Sequence, residues 1–70
     1  MENGTVKWFN ETKGYGFIEP ASGGQDVFVH ISEVQRSGLS GLNDGQAISY
    51  EQKVDPARGK TSAVNLQIEQ

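Results

Sequence analysis

No cysteine occurs anywhere in the 70 residues. Disulfide staples, thiolate metal sites and cysteine nucleophiles are therefore excluded, and the composition fits a reducing cytoplasm. There is one histidine, His30, so a His/Cys ligand set for a metal cannot be completed, and no cofactor is expected. No apolar run approaches the roughly 20 residues that a membrane span needs. Met1-Glu2-Asn3-Gly4 carries neither the basic nor the apolar stretch of a signal peptide, so a cytoplasmic location is expected. Cations are scarce: six Lys and Arg against nine Asp and Glu leave a net charge of −3. That balance argues mildly against a nucleic-acid binder, because a phosphate backbone attracts basic surfaces, but the positions of the cations matter more than the sum. A chain this short makes one domain, residues 1–70, and per-residue scaling gives it a marginal stability of roughly 4–10 kcal/mol.

What is present is a pattern of rings. Lys13-Gly14-Tyr15-Gly16-Phe17-Ile18 is followed by Val27-Phe28-Val29-His30-Ile31. Residues i and i+2 of a strand face the same side. Tyr15 and Phe17 thus share one face, and Phe28 and His30 share a face of the next strand. Ile18, Val27 and Val29 fill the opposite face. A small chain cannot cover both sides of a sheet, so one of these faces meets solvent. Aliphatics in and rings out is the better assignment, because flat rings in water suit nucleobases. Trp8 and Phe9 are adjacent and must point to opposite sides unless the strand is bulged. Trp8 is placed with the surface, and Phe9 is left divided between core and ligand.

Five β-like runs span approximately 5–10, 15–20, 26–31, 46–54 and 61–68. Short turn segments at 11–14, 21–24 and 55–59 join most of them. Only 32–45 is long, and its three glycines disfavour an extended helix, although Ser32 would serve as N-cap of a single turn. Three strands, a long connection and two strands predict an all-β fold: a five-stranded antiparallel Greek-key barrel of the oligonucleotide-binding type. Closure also removes the open edges that invite aggregation. The inward residues are expected to be Val6, Ile18, Val27, Val29, Ile48, Val64 and Leu66, with Tyr50 and Ile68 beside them.

Catalysis is poorly supported. Asp26 and His30 lie four residues apart in an extended run, about 13 Å, which is too far for a dyad. Ser32 has no base oriented by a third group. Gly14 and Gly16 lack the spacing of a dinucleotide or P-loop motif. His30 is better read as a stacking or hydrogen-bonding imidazole. Lys7 and Lys13 flank the rings, and Arg58 follows in a later turn. A small barrel gripping a proline-rich peptide with its aromatics is the competing reading, and the flanking lysines favour nucleic acid over it.

Lys7-Trp8-Phe9-Asn10 and the two ring-bearing runs closely resemble the signature of the bacterial cold-shock proteins, along essentially the whole chain. The later two runs are similar to the family's two ribonucleoprotein motifs. The RNA-recognition motif domain, which shares such motifs, places them in the opposite order and needs two amphipathic helices, for which there is no room. The resemblance implies base stacking by Trp8, Tyr15, Phe17, Phe28 and His30. It implies phosphate or base-edge contacts from Lys7, Lys13 and Arg58, with Asp26 accepting hydrogen bonds from base edges. Where this sequence has Ile31, and near Leu39, family members often carry an aromatic. Ile31 can still pack against a base with less area. The expected partners are single-stranded RNA and single-stranded DNA, pyrimidine-rich for preference, with no membrane and the monomer as default. The expected role is that of an ATP-independent RNA chaperone acting on transcription and translation, with no enzymatic activity.

Overall fold

The computed structural model describes residues 1–57 and 59–68, residue 55 by its backbone alone. Alternating apolar and polar residues form β1 (Glu2–Asn10), β2 (Tyr15–Pro20) and β3 (Val27–His30). A short helix α1 (Ile31–Arg36) and an irregular loop lead to β4 (Ala47–Asp55) and β5 (Lys60–Ile68). Turn chemistry sets the first hairpin. Asn10 receives the Gly14 amide on its carbonyl at 2.8 Å and the Lys13 amide on its Oδ1 at 2.9 Å. Gly14 takes a φ of 82°, where a side chain would be strained.

The strands close into a barrel in the order β1-β2-β3-β5-β4. Four contacts between neighbours are antiparallel, and β3–β5 is parallel, at Phe28 opposite Ser62. The all-antiparallel expectation fails at this seam, because α1 and its loop carry the chain across before β4, and β5 then returns running with β3.

Val6, Ile18, Val27, Val29, Ile48, Tyr50 and Leu66 are buried as expected, and Ile68 packs against them. Val64 is not inward. Ser49 pairs with Gln67 but Glu51 pairs with Val64, so β5 holds one extra residue across that step. Asn65 takes a φ of 51° there. This bulge turns Ala63 and Leu66 inward together and leaves Val64 half-exposed. Val34 of α1 and Leu42 of the loop complete the core. Ser37 Oγ accepts the Leu66 amide at 2.9 Å and fastens the end of α1 to β5.

The helix begins one residue before its expected cap. His30, still extended, is the N-cap, and its Nδ1 accepts the Ser32 amide at 3.1 Å. Ile31 is therefore helical rather than the last residue of β3, and Asp26 precedes the strand. Among the described residues no helix is long and apolar enough to cross a membrane.

Candidate nucleic-acid interface

A bulge in β1 builds the ring cluster. Val6 pairs with Ile18, yet Trp8 pairs with Phe17, so Lys7 is an inserted residue. Without it Trp8 would follow Val6 into the core. With it Trp8 emerges on the outer face beside Phe17, and Phe9 turns inward opposite Gly16 and packs against the core. Gly16 has no side chain because the Phe9 ring and the Trp8 carbonyl occupy that space.

The outer face is a continuous set of rings. Trp8 lies 5.6 Å from Tyr15 and 5.4 Å from Phe17, centroid to centroid. Tyr15 lies 5.7 Å from Phe28 at an interplanar angle of 29°, and Phe17 lies 5.9 Å from Phe28 at 73°. His30 continues the row 6.3 Å beyond Phe28. The four carbocyclic and indole side chains are half-buried and His30 is exposed. Their mutual edge and face contacts hold the rings in place before any ligand arrives, which lowers the ordering cost of binding.

The charged residues divide. Lys7 Nζ donates to Asp26 Oδ2 at 3.0 Å. That hydrogen bond, reinforced by the charge of Asp26, holds the Lys7 ammonium above its ordinary pKa. Any group that engages Lys7 or Asp26 must therefore compete with, or bridge, a pair that the protein has already made. Lys13 stands exposed on the β1–β2 turn, with no acidic partner at ion-pairing distance among the described residues. Ile31 is half-buried, donates its amide to the Gly14 carbonyl at 2.9 Å, and lies with Cγ2 against Gly14. It borders the ring cluster from the helix and is not part of the ring row. Arg58 lies outside the described residues.

Phe17 and Phe28 border an open groove of 580 Å³, whose lining also includes Gln25, Asp26, Gln52, Lys60 and Thr61. The amides and the hydroxyl offer donors and acceptors for base edges. Sequence reasoning singled out none of Gln25, Gln52 and Lys60 as a site residue. Only the β3–β5 seam brings the β4–β5 end beside Phe28, and no local pattern announces it.

His30, Ser32 and Asp26 do not assemble a catalytic triad. His30 Nδ1, 2.9 Å from Ser32 Oγ, is engaged as the helix cap. Asp26 is bonded to Lys7 instead of the imidazole. Among the described residues no group of three or more His, Cys, Asp or Glu could hold a metal ion.

Comparison with known proteins agrees with this geometry. The family model of the 'Cold-shock' DNA-binding domain matches residues 2–68. A protein of Sinorhizobium fredii named as a probable cold shock protein is 64% identical over 67 residues, covering 96% of this chain and 97% of that protein. Cold shock protein CspA of Rhizobium meliloti is 54% identical over 66 residues, covering 94% and 96%. Cold shock-like protein CspD of Escherichia coli is 44% identical over 69 residues, covering 99% and 92%.

Proposed function

Because the chain belongs to the family of the cold-shock DNA-binding domain, a family of nucleic-acid binders and not of enzymes, we propose that it binds single-stranded RNA and DNA by stacking bases on Trp8, Tyr15, Phe17, Phe28 and His30. The observation that carries this reading is the ring row itself, facing solvent over a closed aliphatic barrel. Duplexes hide base faces, so a protein that grips faces prefers unpaired strands and pulls hairpins open by mass action, without ATP. In a cell this is the action of an RNA chaperone, working as a monomer in the cytoplasm and affecting transcription and translation. Pyrimidine-rich stretches are the preferred targets, as the family resemblance implies.

Magnitudes favour stacking over charge. Each stacked base contributes roughly 1–3 kcal/mol, so four or five give about 4–15 kcal/mol before ordering costs. Lys7, Lys13 and Arg58 neutralise about three phosphates, for a salt slope near −2 on a single strand. A net charge of −3 is compatible with binding on those terms. Trp8 fluorescence is the reporter. Titration with an oligothymidine single strand should quench it, whereas the matching duplex and a proline-rich peptide should not. A salt slope steeper than about −5 would mean that phosphates, not rings, hold the ligand. Quenching by the peptide instead would transfer the groove to the other class of partner.

A further inference from the structure

Phe28 and His30 border a second groove, on the far side of the ring row from Trp8. It is an open depression of 450 Å³ across β3, β5 and β4, lined also by Lys53, Val54, Pro56 and Ser62. The register explains how these residues meet. Ser62 pairs with Phe28 in the parallel seam and with Lys53 in the β4–β5 hairpin, so Lys53 stands two strands from the rings.

Three features of this groove lack a structural use. Val54 is a large apolar side chain, yet it is 62% exposed. Lys53 has no acidic partner at ion-pairing distance among the described residues. Pro56 adds a second exposed apolar surface beside Val54. Among the described residues the one acid lining the groove, Glu33, is bonded to Arg36 at 3.4 Å. An apolar floor with an ammonium at its rim, unpaired among the described residues, suits a base or sugar with its phosphate. The floor is continuous with the ring row through Phe28 and His30.

We propose that this groove is an additional nucleotide subsite, taking the residue of the strand that passes beyond His30, with Lys53 on its phosphate and Val54 and Pro56 under its base or sugar. The inference rests on the single-strand reading given above and assigns residues that the ring pattern does not contain. Its consequence is a dependence on strand length. A strand that ends on the rings leaves the groove empty, and a longer one fills it.

The test compares two oligothymidines, one of about four nucleotides and one about four longer, within the span a barrel of this type covers. Titrations of the wild type and of Lys53→Gln are followed through Trp8. One phosphate contact adds about 0.7 to the salt slope, which is about fivefold in affinity at roughly 0.1 M salt. The advantage of the long strand over the short one should fall about fivefold in Lys53→Gln, and its salt slope should become shallower by about 0.7. The Val54 methyl resonances of the wild type should shift with the long strand and stay in place with the short one. Equal length advantages in the two proteins, or Val54 methyls that ignore the long strand, overturn the subsite while leaving the ring reading intact. Absence of quenching by either strand in the wild type overturns the ring reading, and the subsite falls with it.

Discussion

Phe28 stands opposite Phe17 in the β2–β3 register, borders both grooves and lies at the middle of the ring row. Its neighbours on the strand, Val27 and Val29, point the other way into the barrel. Truncating Phe28 therefore removes ring contacts worth roughly 0.5–1.5 kcal/mol but opens no cavity in the aliphatic core. Binding loses a stacking surface worth about 1–3 kcal/mol. Phe28→Ala is expected to weaken oligothymidine binding roughly tenfold to a hundredfold while lowering stability by only about 1 kcal/mol. Titration and urea unfolding measure the two separately. A variant that no longer folds would make Phe28 a core residue and remove the basis for a platform. Phe17→Ala should behave alike, with a smaller loss, since Phe17 borders one groove. The sidedness of these residues was legible in the sequence, because the rings fall on alternate positions at Tyr15, Phe17, Phe28 and His30, with Ile18, Val27 and Val29 on the opposite parity. The engagement of Lys7 with Asp26 was not, since 19 residues separate them and only the barrel brings them together.

Each bulge shifts a register by one residue and redirects every side chain beyond it. The Lys7 bulge separates Val6 from Trp8, and the Asn65 bulge exchanges Val64 for Ala63. A bulge near the adjacent Trp8 and Phe9 was raised by the sequence but not located, and the Asn65 bulge was not legible, because a bulge is decided by the partner strand and not by local composition. Asn tolerates the left-handed region, which in hindsight is the only local sign at residue 65. The N-cap misreading has a similar origin. Ser32 is the usual residue type for a cap, but the chain leaves β3 so abruptly that His30 is already in position to receive its amide. Val34 and Leu42 escaped notice because a helix of six residues and an irregular loop display no period. The β1–β2 hairpin depends on Gly16 in a way that can be tested. A Cβ there would lie 2.8 Å from Phe9 Cα and Cδ1 and would also meet the Trp8 carbonyl. Backbone atoms cannot yield as a flexible side chain can. Gly16→Ala is expected to cost about 1–3 kcal/mol in urea unfolding, and to weaken Trp8 quenching by displacing β1 from the rings. Wild-type stability and quenching in that variant would show that β1 does not rest on Gly16.

At the scale of the whole molecule, a barrel of 70 residues has little stability in reserve, so a single buried polar group is visible in its pH profile. Tyr50 is fully buried, with Gly4 leaving room for its ring. Among the described residues its hydroxyl has no hydrogen-bond partner at bonding distance. Burial raises the phenol above its ordinary pKa of 10.0, and the nearby Gln52 side chain offsets only part of the effect. Above that ordinary value the unfolded chain gives up the proton while the folded chain keeps it. Stability is then complete below about pH 10 and declines as pH climbs through the folded value. The raised Lys7 pKa acts in the same direction and is likewise confined to the alkaline side. Tyr50→Phe separates the two contributions. It removes an unpaired buried hydroxyl, so stability at neutral pH should rise by about 1 kcal/mol. It also removes a titrating group, so the alkaline decline should become shallower, leaving the part owed to Lys7. Urea unfolding of both proteins between about pH 7 and pH 11 follows both effects at once. An unchanged alkaline slope would clear the phenol of any part in it. A fall in neutral stability would mean that the hydroxyl makes a bond whose loss outweighs the relief of burial.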